Sequence, residues 1–139
     1  MRAARGHTLI EVTIVVVVLS VLAVAAVPSY RRASEQARVD ACAASLRSVW
    51  SAQRAHWLEA RTYAESVDTL QAEGFLDAAA FASADAFDFR ISAASATTFT
   101  AAAARASGAW GGTLAVDESG DVLGQTMDEE GEVVTPGTR

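Results

Sequence analysis

The chain has 139 residues, a formal net charge of −6 and no lysine, so all eleven basic side chains are arginines. That length suits one domain plus an appendage, and an acidic chain without a basic tract argues against nucleic acid as a partner. The single cysteine, Cys42, excludes an intramolecular disulfide and any cysteine-built zinc site.

Met1 to Gly6 is short and basic, with Arg2 and Arg5. Leu9 to Val27 follows, nineteen residues interrupted only by Glu11, Thr13 and Ser20. At about 1.5 Å per residue such a helix comes close to the ~30 Å hydrocarbon core of a bilayer, and it is longer than the apolar stretch of a cleaved secretory signal. Beyond Pro28 the helical pattern resumes. Val39, Cys42, Leu46, Val49, Gln53 and His56 recur at spacings of three and four, and Trp50 and Trp57 mark a neighbouring face. Arg38, Asp40, Arg47, Arg54 and Glu59 lie between the apolar positions, so the pattern predicts an amphipathic helix to about Arg61. Pro28 removes one backbone donor and is expected to kink the helix without ending it.

Thr62 to Ala86 reads as a connecting segment holding a short helix, Ser66 to Glu73, stopped by Gly74. Three strand regions follow: Phe87 to Ser92, Thr97 to Ala104, and Thr113 to Val116, the last turning back through Glu118-Ser119-Gly120-Asp121 into Val122-Leu123. Gln125 to Arg139 is acidic and is expected to form a loose tail.

Glu11 carries the chemistry. A lone carboxylate near one end of an apolar helix costs several kcal/mol in lipid unless it is neutralised or paired. Arg2 and Arg5 lie across the Gly6 junction, whereas a free amine made by cutting there would be a cation. An amine of that kind on a neighbouring subunit would fix the stagger between subunits. The alternative role for Glu11 is a carboxylate at a helix N-terminus, favoured by the macrodipole.

Gly6-His7-Thr8-Leu9-Ile10-Glu11, with the aliphatic run ending in Val27-Pro28-Ser29-Tyr30, resembles the leader and N-terminal helix of type IV pilins and type II secretion pseudopilins. The resemblance implies a leader, residues 1–6, cut by a prepilin peptidase between Gly6 and His7. It implies N-methylation of His7, inter-subunit pairing by Glu11 and a helix kink at Pro28. The domain organisation it implies is a transmembrane and filament-core half-helix over 7–30, then a pilin-like globular domain over 31–139 with an acidic C-terminal tail. Tyr63 to Leu76 is similar to the loop after the long helix of many pilins, and Phe87 to Asp121 to the sheet of small minor pilins. His7 stands where the family usually has phenylalanine, and one cysteine cannot make the C-terminal disulfide loop of many pilins. There is no Asp-Pro-Trp-Gly-like segment of the major pseudopilin, so its calcium site is not carried over.

Other residues weighed as sites have plainer readings. Trp50, Trp57 and Trp110 are expected to pack the helix on the sheet rather than to bind a ligand, and His56 to be structural. Cys42 reads as a small buried hydrophobe. Asp117, Glu118 and Asp121 lack the spacing of a calcium loop and read as a hairpin turn, and Asp128-Glu129-Glu130 with Glu132 as a solvated run.

The expected fold is α+β, a long N-terminal helix whose second half packs on a small antiparallel sheet. The expected function is a structural subunit of a type IV pilus-like filament, with no enzymatic activity, cofactor or metal. The implied partners are the prepilin peptidase, other pilin or pseudopilin subunits and an inner-membrane assembly platform. A type II secretion pseudopilin and a minor pilin acting as a tip binding module, for adhesion or DNA uptake, are the alternatives. The resemblance implies a single-pass inner-membrane protein with its domain outside, later in a periplasmic or extracellular filament. A bare positive-inside count points the other way, since Arg31, Arg32 and Arg38 flank the far end of the apolar run.

Overall fold

A computed structural model describes residues 8–137. Helix α1 spans Leu9–Ala60 and continues through Pro28. It is followed by a short helix α2 at Val67–Ala72, a 3-10 turn at Ala78–Phe81, and strands β1 Phe87–Ala94, β2 Phe99–Arg105, β3 Trp110–Asp117, β4 Val122–Asp128 and β5 Val133–Val134. The five strands form one antiparallel sheet in the order β1-β2-β3-β4-β5. The architecture is α+β and pilin-like, with the long helix packed on the sheet. The chain divides into two compact units after Ser34.

In the second unit the three-four spacing of α1 becomes the core. Val39, Cys42, Leu46, Val49, Gln53 and His56 are all buried, joined by Ala43, Ser45 and Ala52. The sheet answers with Phe87 on β1, Phe99, Ala101 and Ala103 on β2, Leu114 and Val116 on β3, Thr126 on β4 and Val134 on β5. The register makes these one face: Ala103 pairs with Phe89 and Leu114, Ala101 with Ile91 and Val116, and Thr126 with Val134. Alanine is a poor strand former, and its use at Ala101 and Ala103 fits a sheet whose inner face meets a helix over small side chains.

Gln53 is the polar member of the helical pattern, and its burial is fully compensated. Its Nε2 donates to Ala64 O at 2.9 Å and its Oε1 accepts from Ala64 N–H at 2.8 Å. That pair pins the chain just after it leaves α1. His56 acts in the same corner, with Nδ1 donating to Thr62 O at 2.8 Å and Nε2 3.2 Å from Glu73 Oε2. Ser66 caps α2 by accepting from Thr69 N–H at 3.0 Å. Gly74, at φ +80°, ends it with a backbone bond to Gln71 O at 3.1 Å. The short helix and its stop therefore lie within a residue of the predicted bounds.

The C-terminal segment departs from expectation. β3 begins at Trp110 and β4 runs on to Asp128, and a turn at Asp128 returns the chain into β5. Asp128 Oδ1 accepts from the N–H groups of Glu130 and Glu132 at 3.1 and 2.8 Å. Val134 is buried, Gln36 Nε2 donates to Thr135 O at 3.1 Å, and Asp40 Oδ1 accepts from Gly137 N–H at 3.0 Å. The segment expected to be loose is thus strand, turn and a strap tied to α1. The Asp128 carboxylate serves the turn, while Val134 supplies the buried anchor.

Candidate functional site: the apolar half-helix and Glu11

The first unit is described by its surface. From Leu9 to Val27 the valine, leucine and isoleucine side chains stand 49–87% exposed, on every side of the helix. A soluble helix hides one stripe and wets the other; a helix apolar all round needs lipid or other helices about it. Each such side chain gains about 1.5–3 kcal/mol when removed from water, so the segment as a whole is driven by tens of kcal/mol.

Two of its three polar side chains are satisfied locally. Thr13 Oγ1 donates to Leu9 O at 2.8 Å and Ser20 Oγ to Val16 O at 2.7 Å, one turn back along the helix. Such hydroxyls can enter an apolar medium at little cost. Glu11 is different. It sits in the first turn, where its N–H donates to Thr8 Oγ1 at 3.3 Å. Its carboxylate is exposed, and among the described residues no cation stands beside it. The helix N-terminus favours the negative charge by up to about 1 kcal/mol, short of the ~2.5–3.5 kcal/mol that a charge costs at mid-membrane depth.

Gly6 and His7, the expected cleavage and methylation positions, lie outside the described residues. Pro28 lies inside α1, where Val24 O has no helical N–H to receive. By length and composition no single helix among the described residues is long and apolar enough to cross a membrane; Leu9–Val24 and Val27–Ala60 meet the requirement only as a broken pair.

The remaining candidates belong to the architecture of the second unit. Trp50 Nε1 donates to Glu118 O at 3.2 Å and Trp57 Nε1 to Ala96 O at 2.8 Å. The two indoles, seven residues apart, therefore tie α1 to the β3–β4 and β1–β2 turns, and Trp110 packs against the core. Asp117 heads the first of these turns, accepting from the Ser119 hydroxyl and from Ser119 N–H at 2.9 Å; these bonds hold its carboxyl below the usual range. Among the described residues no three His, Cys, Asp or Glu side chains are grouped to hold a metal. Cys42 is fully buried, and burial pushes its thiol up to about 12.

An ion pair absent from the sequence reading lies at the start of the core. Glu35 Oε2 accepts from Arg105 Nη2 at 3.2 Å, with side chains 1% and 3% exposed. Arg105 Nη1 also donates to Ala86 O at 3.0 Å, and the guanidinium lies 5.3 Å from the Phe87 ring centre. Arg38 Nη1, half exposed, stands 3.8 Å from the same Glu35 oxygen. The signal was present: stepping the three-four register back one turn from Val39 lands on Glu35.

No curated protein matches the chain. Residues 1–27 match the family model of the prokaryotic N-terminal methylation motif, a segment that contains Gly6, His7 and Glu11 and the whole apolar run. The chain thus carries the prepilin signature of type IV pilins and pseudopilins, joined to an α+β domain of pilin type.

Proposed function

We propose that this chain is a structural subunit of a type IV pilus-like filament, cut between Gly6 and His7 by a prepilin peptidase and N-methylated at His7. The carrying observation is an all-round apolar half-helix with one carboxylate that has no cation beside it among the described residues, under a methylation-motif match. The motif is shared by pilins and pseudopilins, and the mechanism is the same in either machine.

In the membrane the half-helix is dissolved in lipid, with the globular domain on the outer side. Lipid tails are as apolar as valine, so moving the helix from bilayer to fibre core gains little from hydrophobicity alone. Glu11 supplies the difference. In the bilayer its charge is unpaired; in the fibre it meets the cationic amine of the neighbouring subunit's processed N-terminus, which sets the stagger of one helix on the next. Pro28 lets the helix bend between its membrane and globular halves. The subunit performs no chemistry, and the work of extraction comes from an assembly ATPase elsewhere.

Intact-mass measurement of the membrane-extracted protein tests processing. The expected species lacks Met1 to Gly6 and carries one added methyl group. Full-length chain as the sole species in cells with an active prepilin peptidase contradicts the proposal.

A further inference from the structure

The buried register of α1 carries an ionisable ring into the core. His56 is 6% exposed, on the face that also carries Val49, Ala52 and Gln53. A neutral imidazole has one nitrogen that donates and one that accepts. The surroundings of His56 ask for two donors. Nδ1 lies 2.8 Å from Thr62 O, and Nε2 lies 3.2 Å from Glu73 Oε2. A backbone carbonyl only accepts, and so does a half-exposed carboxylate that water keeps ionised. The imidazolium satisfies both partners. A neutral ring with its proton on Nδ1 keeps Thr62 O but turns a bare lone pair toward the Glu73 carboxylate.

The two ends of the connecting segment are held by different chemistry. Near its start, Ala64 is clasped by Gln53 through two bonds that involve no titratable atom. That end stays in place at any pH. Glu73 stands at the C-cap of α2 with its side chain 49% exposed, so its carboxylate can leave the ring for water. The turn it belongs to is short: Gly74 N–H donates to Gln71 O at 3.1 Å, and the Phe75 and Leu76 N–H groups both donate to Leu70 O, at 2.9 and 3.1 Å. Phe75 sets its ring 5.5 Å from the imidazole at 78°.

The other charges of these elements are directed elsewhere. Glu59, three residues on along α1, is exposed. Glu65 and Asp68 line a groove with Arg90, Asp77 accepts from Ala79 N–H at 2.8 Å, and Arg61 lies over Trp57. The buried Glu35–Arg105 pair begins 21 positions earlier on α1, about 30 Å away along the helix. Glu73 is therefore the charged side chain that answers His56.

We propose that His56 is a proton-operated latch on the segment between α1 and β1. With both nitrogens protonated it joins Thr62 and Glu73 and holds the end of α2 on α1. When Nε2 gives its proton to water, the carboxylate meets a lone pair and swings out. The Gly74–Leu76 turn then loosens, while Gln53 keeps Ala64 where it is. Burial opposes the charged ring, and the two acceptors favour it. The closed latch binds one more proton than the open one. Closure is thus complete at low pH and is lost as pH rises through the imidazole range, about pH 5 to 8. The latch lies wholly in the second unit and does not depend on the filament reading.

The test uses the full chain in detergent micelles, with amide hydrogen exchange and imidazole nitrogen shifts read by NMR. In the wild type, protection of the Gly74, Phe75 and Leu76 amides, corrected for intrinsic exchange, is expected to fall about threefold or more from about pH 5 to about pH 8. Over the same range His56 should pass from two ring protons to one, retained on Nδ1. Glu73→Ala removes the acceptor, and is expected to show the low protection at both pH values. Glu73→Gln is expected to keep the high protection at both, because the introduced amide donates to a neutral Nε2 and accepts from a protonated one. Both substitutions are at a half-exposed position, so the fold is retained and a flat circular dichroism comparison checks it. Wild-type protection that does not change with pH overturns the proposal. So does a Glu73→Ala chain that still follows the wild-type pH profile, or a His56 ring that carries a single proton at both ends of the range.

Discussion

Replacing Arg105 by methionine is the sharpest perturbation of the second unit. Glu35 and Arg105 are 70 positions apart in sequence and join α1 to β2 through a 3.2 Å ion pair with almost no water contact. The substitution keeps the volume but leaves the Glu35 carboxylate buried, with only half-exposed Arg38 at 3.8 Å. It also strips Ala86 O of its side-chain donor. Breaking a buried pair from one side costs about 3–5 kcal/mol, a large share of the 5–15 kcal/mol that holds a typical domain folded. Glu35→Leu alone is expected to cost a similar amount, because it strands the guanidinium. The double variant removes both desolvated charges, and is expected to recover most of the loss or exceed wild type. Urea unfolding of the full chain in detergent, followed by fluorescence of Trp50, Trp57 and Trp110, reads all four corners of the cycle. A loss under about 0.5 kcal/mol for Arg105→Met, or additive losses in the double variant, refutes the reasoning.

Gln53→Leu is expected to cost about 2–4 kcal/mol, since it leaves both the N–H and the carbonyl of Ala64 buried without partners; urea midpoints measure it. Gly120 has φ +87°, and a Cβ there would lie 2.8 Å from Trp50 Cε2. Gly120→Ala is therefore expected to cost about 2 kcal/mol and to shift Trp50 emission to the red as the indole leaves the turn. The Cys42 thiol ionises near 9.0 when unfolded and near 12 when folded. The unfolded state thus binds fewer protons in that interval, and stability is expected to fall as pH rises through it. Cys42→Ala should flatten that slope in urea titrations taken at successive pH values.

How much of this was legible depended on the range of the interaction. The helix, its buried register and the cap and stop of α2 rest on contacts within a few residues, and they stand where the pattern puts them. Gln53 and His56 fit the apolar register despite being polar, because their partners lie six to eleven residues on and are fixed by the turn after α1. The tryptophans were expected in the helix–sheet core. Trp50 and Trp110 do pack against it, and Trp50 and Trp57 also turn their indole N–H groups to carbonyls of the hairpin turns. Charge composition hid two features. Glu35 lies on the buried register but is a carboxylate, which rarely enters a core, and its partner is far away in sequence. The C-terminal segment was read as solvated, although Val133-Val134 after the Gly131 turn completes the sheet. In the first unit the motif and the apolar run are local and legible, while the partner proposed for Glu11 belongs to another molecule.

The most direct test of the central claim is the filament content of cells expressing Glu11→Val beside a tagged wild-type chain. The account expects equal amounts of the two in the membrane fraction and at least a tenfold deficit of Glu11→Val in sheared filaments. Equal representation in the filaments would show that the carboxylate sets no register between subunits, and would contradict the account.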